Sequence, residues 1–199
     1  LITSQTSVIL ATEVFEEVIK DKMFYETSGG GVTLSGGECL IYPEFCKQLL
    51  SRLKESGIST AIDTCGFVSR AALDAVIPYT DIFLYDLKAY SSQVHTECTG
   101  QGNAKILENL KYLDSCGKKI EVRIPFVPYF NDGEIEAIAS LLSEIKNLTK
   151  VRVLAYHSYA GSKYAALDRE NELPSRIPTE AMLTDAREKI RARVKCEVV

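Results

Sequence analysis

The 199-residue sequence contains no tryptophan, only two histidines and no long uninterrupted run of apolar residues. Charged residues interrupt its apolar runs within about eight residues, whereas a membrane-spanning helix needs about 18 to 20. The 23 lysines and arginines are outnumbered by 27 aspartates and glutamates, so an electropositive nucleic-acid-binding surface is not expected. These absences argue against a membrane-spanning protein and against a nucleic-acid-binding one. The 46% hydrophobic and 25% charged composition is typical of a folded globular domain.

The cysteines also lack any recognisable spacing. Six occur, at positions 39, 46, 65, 98, 116 and 196, with no CxxC pair and no Cys/His quartet. No basic segment followed by an apolar one opens the chain, so no secretory signal is predicted. We therefore expect a cytoplasmic protein whose thiols are free and mostly buried, because disulfides are rare in reducing compartments.

Short β-rich runs alternate with stretches of helical periodicity along the chain. Val14 and Val18, for example, lie on the apolar stripe of a helix predicted over residues 11–24. Asn131 and Glu134 have the spacing of a capping pair for a later helix. Further helices are predicted over residues 43–57, 71–76, 104–116 and 179–193, and strands over residues 32–34, 58–63, 82–85, 120–127, 151–154 and 194–199.

This alternation predicts the fold class. Strands that alternate with helices of about ten to fifteen residues form βαβ units and a parallel sheet. A closed barrel of eight such units takes about 250 residues, so this chain is too short for one. We expect an α/β fold with a parallel sheet, built as an open or partial TIM-like barrel, in a single domain over residues 1–199.

Ionisable and hydroxyl side chains follow five of the predicted strands at their carboxyl ends. Carboxyl ends of parallel strands share one edge of a sheet, where ligands bind. One such residue alone could be a loop charge or a helix cap, but five groups together predict a functional site. The groups are Ser35-Gly36-Gly37-Glu38, Asp63-Thr64, Asp86 with Lys88, Arg123, and Tyr156-His157.

The residue types at these positions suggest the chemistry of the ligand. The glycine-rich segment matches neither a dinucleotide-binding fingerprint nor a P-loop. Gly36 and Gly37 permit a sharp turn that brings Glu38 to a small ligand, and a carboxylate with backbone carbonyls suits an ammonium group. Lys88 and Arg123 could meet a carboxylate, and His157 could meet a ribose or a ring nitrogen. An amino acid joined to a nucleoside would match this set.

Five motifs, taken in order, carry a family resemblance. They are Gly30-Gly31-Val32-Thr33-Leu34-Ser35-Gly36-Gly37-Glu38, Asp63-Thr64-Cys65-Gly66, Tyr85-Asp86-Leu87-Lys88, Arg123-Ile124-Pro125 and Leu154-Ala155-Tyr156-His157. This series resembles the glycyl-radical-enzyme activating enzymes of the radical S-adenosylmethionine superfamily, best represented by pyruvate formate-lyase activating enzyme. The resemblance runs from about residue 11 to the carboxyl terminus.

The resemblance implies a partial (β/α)6 barrel that binds S-adenosylmethionine and a [4Fe-4S] cluster. The reduced cluster would cleave the sulfonium, and the resulting 5'-deoxyadenosyl radical would take a hydrogen atom from a glycine of a partner enzyme. The partner would be pyruvate formate-lyase or another glycyl radical enzyme of anaerobic metabolism. A flavodoxin- or ferredoxin-type protein would supply electrons, and neither nucleic acid nor membrane would be involved.

The resemblance also assigns site residues by their match to the family's motifs. Gly36, Gly37 and Glu38 would hold the amino group of S-adenosylmethionine. Lys88 and Arg123 would contact its carboxylate or neighbouring groups, and His157 its nucleoside. A monovalent-cation site beside the cofactor would use Asp63, Thr64 and Asp86, with a backbone carbonyl near Leu84.

Two departures from the family pattern affect the expected function. The CxxxCxxC cluster loop is absent and would lie before Leu1, so no catalytic residue is identified and the chain is expected to be the inactive C-terminal portion of a longer protein. Cys39 stands where the family usually has proline, a change that would loosen the turn after Glu38.

Two other functions are compatible with these residues. A remnant that binds S-adenosylmethionine or a partner without radical chemistry would also lack the cluster loop. Lys88 could instead be a Schiff-base lysine of an aldolase, with Arg123 as the cationic neighbour that lowers its pKa. Tyr156, Tyr159 and Tyr164 follow the fifth strand, and the loop of residues 160–177 is expected to meet the partner because of this position.

Overall fold

The computed structural model describes residues 9–157 and 176–199. Its six strands form one open sheet and neighbour one another in chain order. Strand pairing is parallel between β1 and β2, between β4 and β5, and between β5 and β6. The strands are β1 (Gly31–Leu34), β2 (Ser59–Thr64), β3 (Ile82–Asp86), β4 (Lys119–Phe126), β5 (Leu148–Ala155) and β6 (Glu197–Val198). The predicted α/β fold with an unclosed parallel sheet is confirmed.

Helices connect these strands, as the alternation predicted. Pro43 begins a helix, as expected. Proline is tolerated in the first turn because the N–H that it lacks has no partner within the helix at that position. Every helix of the described residues is too short or too polar to cross a bilayer. The α-helices are α1 (Ala11–Val18), α2 (Lys22–Ser28), α3 (Pro43–Glu55), α4 (Arg70–Val76), α5 (Ser92–Thr99), α6 (Ala104–Ser115), α7 (Ile135–Ser143) and α8 (Glu180–Arg191).

The continuous helix predicted over residues 11–24 is wrong. A 3-10 turn at Ile19–Asp21 separates α1 from α2. The Tyr25 hydroxyl donates to the Val18 carbonyl at 3.1 Å and takes the acceptor that the Lys22 N–H would use in a continuous helix. Lys22 N–H binds the Ile19 carbonyl instead, which is the shorter spacing of a 3-10 turn.

Helix α5 was not predicted, and the expected capping pair before α7 does not form. The Asn131 side chain caps no helix, and α7 begins at Ile135 after a 3-10 turn at Asp132–Glu134. The side chains of Asn131 and Glu134 instead bind the backbone of a distant loop, which is described below. The tyrosines Tyr159 and Tyr164 lie outside the described residues.

The chain divides into two compact units. The first comprises Leu1–Thr64 and Val68–Phe83. Its core lies where α3 packs on β2 and α4, and Leu50, Leu53, Leu73 and Val76 are there fully buried. Because α3 covers its strands with a stripe of leucines, the carboxyl ends of β1 and β2 are held in register, with Leu34 opposite Ile62.

The second unit comprises Cys65–Phe67 and Leu84–Val199. Strand β4 alternates buried and half-buried side chains along its length, with Ile120, Val122 and Ile124 fully buried. Helix α7 packs on α8, which contributes Ile190 to the core. These contacts fix the carboxyl ends of β4 and β5, where Arg123 lies on one strand and His157 follows the other.

Candidate functional site

In the first unit, a glycine turn leads from β1 to Glu38. Gly36 has φ +139°, a conformation that L side chains rarely adopt, and no heavy atom lies within 4 Å of where its Cβ would be. Glu38 then returns to extended backbone and accepts a hydrogen bond from Leu40 N–H at 3.2 Å. The turn therefore exposes bare backbone at Gly36 and Gly37 and fixes the start of the Glu38 side chain.

Two hydroxyl groups hold the carboxylates of this unit. Thr64 Oγ1, which is buried, donates to Glu38 Oε2 at 2.8 Å. Ser35 Oγ donates to Asp63 Oδ2 at 2.9 Å. Four residues expected at the ends of β1 and β2 are thus brought together, and carboxylate oxygens dominate their chemistry.

The thiol next to Glu38 belongs to a cysteine pair. Cys46 Sγ donates to the Cys39 carbonyl at 3.2 Å, and Cys39 Sγ lies 3.6 Å from both the Leu34 and the Asp63 carbonyls. Hydrogen bonding with Cys46, together with burial, raises the pKa of the Cys39 thiol, whereas the same hydrogen bond lowers the pKa of Cys46. Cys39 is therefore held as a protonated thiol beside the glycine turn. All six cysteines are free, as expected, but the expectation that they are mostly buried is wrong, because only Cys46 is buried and Cys98 and Cys116 are exposed.

In the second unit, cations cluster at the strand ends. Arg123 donates to Asp86 Oδ1 from Nε at 3.0 Å and from Nη2 at 2.8 Å. Lys88 Nζ lies 3.9 Å from the other oxygen, Oδ2. One carboxylate thus faces two cations, which leaves the cluster with an excess positive charge that suits an anionic ligand.

The Arg123–Asp86 pair weakens the Schiff-base interpretation of Lys88. That mechanism needs a cationic neighbour or a dry pocket to make the lysine nucleophilic. Arg123 is directed to Asp86, and the Lys88 side chain is 36% exposed beside the same carboxylate.

The end of β5 carries the remaining expected residues. His157 is exposed directly after the strand. The hydroxyl of Tyr156 is buried and finds no hydrogen-bond partner within residues 9–157 and 176–199. A polar ligand group would satisfy that hydroxyl, because a buried polar atom without a partner is costly.

Each unit by itself offers a set of groups that suits one of the charged groups of an amino acid. The first unit offers carboxylates and backbone at a glycine turn, which suit an ammonium group. The second offers Lys88 and Arg123, which suit a carboxylate. Over the described ranges no group of three or more His, Cys, Asp or Glu could hold a metal ion, so these ranges supply no cysteine set for a cluster.

The comparisons with known proteins identify the family to which the chain belongs. The model of the radical SAM superfamily matches residues 5–142. The choline trimethylamine-lyase activating enzyme of Oleidesulfovibrio alaskensis is 39% identical over 164 residues, which cover 80% of this chain and 53% of that protein. The pyruvate formate-lyase-activating enzyme of Clostridium pasteurianum is 33% identical over 189 residues, covering 94% of this chain and 78% of that protein.

A solved structure extends the agreement to the fold. A domain of pyruvate-formate lyase-activating enzyme from Bacteroides vulgatus superimposes with a TM-score of 0.72 at 25% identity, covering 85% of this chain and 99% of that one. The chain spans about half the length of two curated relatives that it matches, 53% of the choline trimethylamine-lyase activating enzyme and 56% of the isethionate sulfite-lyase activating enzyme of the same organism. The chain belongs to the radical SAM superfamily, and its relatives within it are glycyl-radical-enzyme activating enzymes.

Proposed function

We propose that this protein binds S-adenosylmethionine at the carboxyl ends of its strands and serves to activate a glycyl radical enzyme. The charges at the carboxyl ends of the strands carry this proposal. Carboxylates and a glycine turn follow β1 and β2, whereas Lys88 and Arg123 follow β3 and lie on β4. An amino-acid ligand with an ammonium at one side and a carboxylate at the other matches that division.

Each residue has a role in the proposal. Gly36, Gly37 and Glu38 would hold the amino group, Lys88 and Arg123 the carboxylate, and His157 the nucleoside. Radical SAM enzymes use S-adenosylmethionine together with a [4Fe-4S] cluster, and the cofactor supplies a carbon radical that abstracts hydrogen. The protein's own part is to orient the ligand and to exclude water.

The proposed cation site uses oxygen atoms that already have protein partners. Asp63 accepts from Ser35, Thr64 donates to Glu38, and Asp86 is bound by Arg123. A bound monovalent cation would share these oxygens, because carboxylate and hydroxyl oxygens have further lone pairs. Sodium or potassium dependence of ligand affinity would support this site.

The proposed partner is a glycyl radical enzyme, and two such enzymes are candidates. Pyruvate formate-lyase is one candidate, and the 39% identity to an activating enzyme of choline trimethylamine-lyase favours that lyase as a second. We also propose that residues 1–199 form one radical SAM domain, that the protein is cytoplasmic and that a flavodoxin or ferredoxin reduces it.

The test uses the full gene product, reconstituted anaerobically with iron and sulfide. It is reduced, mixed with S-adenosylmethionine and a candidate partner, and examined for a glycyl radical by electron paramagnetic resonance. Radical formation on pyruvate formate-lyase or choline trimethylamine-lyase identifies the partner. Tight binding of S-adenosylmethionine without a radical on any glycyl radical enzyme would favour the non-catalytic remnant.

A substitution tests the role of Glu38 within the site. Glu38→Gln keeps an oxygen that can accept from Leu40 N–H, and its NH2 group can donate to the Thr64 hydroxyl, so the free energy of unfolding is expected to change by less than about 1 kcal/mol. Loss of a charged acceptor for the ammonium group is expected to weaken S-adenosylmethionine binding about tenfold or more by calorimetry. Unchanged affinity would remove Glu38 from the proposed site. The matched control is Glu44→Gln, at an exposed position on α3.

A further inference from the structure

The backbone that carries Lys88 is irregular but firmly held. Residues 87–91 lie between β3 and α5 and form neither helix nor strand. Leu87 N–H donates to the Arg123 carbonyl at 2.9 Å, which ties the first residue of this segment to β4. The rest of the segment is bound by side chains that come from later in the chain.

Asn131 makes the contact at Lys88 itself. Its Nδ2 donates to the Lys88 carbonyl at 2.7 Å and to the Pro125 carbonyl at 2.6 Å. Its Oδ1 accepts from Val127 N–H at 2.8 Å. The side chain is only 3% exposed, and both of its amide hydrogens are used. Asn131 therefore joins the segment after β3 to the end of β4, two residues beyond Arg123.

Two further side chains hold the same segment. Asn103 Nδ2 donates to the Ala89 carbonyl at 3.0 Å and to the Tyr90 carbonyl at 2.8 Å. Glu134 Oε2 accepts from Tyr90 N–H at 2.9 Å and from Ser91 N–H at 2.5 Å. Five side-chain hydrogen bonds to backbone thus act on four consecutive residues, which fixes the course of the chain where no regular structure does.

The side chain of Lys88 is held far less firmly than its backbone. It is 36% exposed, and its nearest carboxylate among the described residues is that of Asp86, at 3.9 Å. That distance exceeds a hydrogen bond. Because no close contact holds the side chain, the position of the Lys88 backbone determines which region the ammonium group can reach. Asn131 is the side chain that binds this backbone, at the Lys88 carbonyl.

We propose that Asn131 is a positioning residue that directs the Lys88 ammonium to the carboxylate of the bound S-adenosylmethionine. The inference rests on the function proposed above, since it concerns the same ligand. It goes further by identifying a residue that does not itself contact the ligand and acts through Lys88. A residue that merely stabilises the fold would affect every ligand of the site equally.

The experiment exploits that difference with two ligands and one near-isosteric change. Asn131→Asp keeps the shape and the acceptor for Val127 but removes both hydrogens that Asn131 donates. Affinities of the reconstituted full gene product for S-adenosylmethionine and for its decarboxylated analogue, which lacks only the carboxylate, are measured by calorimetry. We expect the affinity for S-adenosylmethionine to fall about tenfold, because a charge-assisted contact is weakened. The affinity for the analogue should change by no more than about twofold.

Two controls accompany this measurement. Lys88→Met should remove the preference for the carboxylate-bearing ligand, and adding Asn131→Asp to it should cost nothing more, because coupled residues are non-additive. Asn109→Asp changes an equally buried amide, which donates to the Gly66 carbonyl, and should affect the two ligands equally.

Equal losses for both ligands in Asn131→Asp, or additive losses with Lys88→Met, would overturn the inference while leaving the proposed function intact. Wild-type protein that binds neither ligand would instead overturn the proposed function. If Asn131→Asp does not fold, Asn131→Ala serves in its place, because it also removes the donors to the Lys88 and Pro125 carbonyls but adds no charge. The same selective loss supports the inference, and an equal loss overturns it.

Discussion

In the first unit, hydroxyl groups hold the candidate carboxylates, whereas in the second unit buried amide side chains hold the backbone beneath the candidate cations. Thr64 and Ser35 each donate one hydrogen bond, to Glu38 and to Asp63 respectively. By contrast, Asn131 alone makes three hydrogen bonds to backbone groups near Lys88. The first arrangement is local to side chains, and the second fixes the main chain.

This difference has consequences for stability and for binding. A hydrogen bond from a hydroxyl to a carboxylate contributes about 1.5 to 3 kcal/mol, but the side chains can rotate and exchange it for a hydrogen bond to a ligand. Buried backbone groups that lose a partner cost about 1 to 3 kcal/mol each. The carboxylates of the first unit can therefore adapt to an arriving ligand, whereas the second unit presents its cations on a backbone prepared in advance.

The largest effect is expected from a glycine in the second unit. Gly66 has φ +73°, and a Cβ there would lie 1.7 Å from the hydroxyl oxygen of Tyr85, a fully buried residue. That hydroxyl donates to the Ile106 carbonyl at 2.7 Å, a hydrogen bond that is lost if the ring moves away. Gly66→Ala is expected to lower the free energy of unfolding by about 3 kcal/mol or more, measured by urea denaturation.

Gly117→Ala is the matched control for that change. Gly117 has nearly the same φ, +70°, but no heavy atom within 4 Å of the added methyl. Gly117→Ala should therefore lower the free energy of unfolding only by the backbone strain, about 1 kcal/mol. Equal losses in the two variants would show that Tyr85 yields easily and that the second unit is less rigid than its contacts indicate.

An intermediate effect is expected from Asp81 in the first unit. Burial opposes ionisation of Asp81, but hydrogen bonds from Lys54 and from the Thr60 backbone outweigh it and lower the pKa of the carboxyl. A depressed folded pKa gives stability that is present above the unfolded value of about 3.9 and is lost as pH falls through the folded value. Asp81→Asn should lower the free energy of unfolding by about 1 kcal/mol at pH 7 and by almost nothing near pH 2.

Denaturation of both proteins between pH 2 and pH 7 checks this expectation. Asp21→Asn is the control, because Asp21 is exposed and its side chain caps no helix. A cost for Asp81→Asn that stays constant with pH would mean that the Asp81 charge contributes nothing. A cost above that of Gly66→Ala would reverse the contrast between the two units.

The sequence predicted most of the strand ends because their signals are local. Apolar runs mark β1 to β5, and glycine or acidic residues follow the first two directly, so Glu38 and Asp63 could be placed at one sheet edge. The parallel direction of the strands followed from the alternation with helices, since βαβ units are parallel.

The role of Asn131 could not be predicted, because its partners are remote in sequence. Lys88 lies 43 residues away, and nothing in the sequence marks that contact. The spacing of Asn131 and Glu134 is that of a capping pair, which is a local signal that tertiary contacts overrode. Helix α5 was not predicted because its residues form no apolar stripe. Its one local signal is Ser91, which caps the helix by accepting from Val94 N–H.

The smallest effect is expected beside Glu38 itself, where the family usually has proline. Cys39 opens a 3-10 turn, and the preceding Glu38 has φ −144° and ψ 105°, a conformation that residues before proline adopt readily. The Cys39 N–H has no hydrogen-bond partner in the described part of the chain, so a proline ring at position 39 would displace nothing there. Cys39→Pro is expected to raise the free energy of unfolding by about 0.5 kcal/mol, by restricting the unfolded chain.

Cys39→Ala separates the proline ring from loss of the thiol. It removes the long sulfur contacts to Leu34 and Asp63 and leaves the Cys39 carbonyl available to Cys46. If Cys39→Ala is near neutral and Cys39→Pro is stabilising, the turn before Glu38 is held by hydroxyls and glycines without help from the thiol pair. A loss above about 1 kcal/mol in both variants would instead make the thiol a structural part of the first unit.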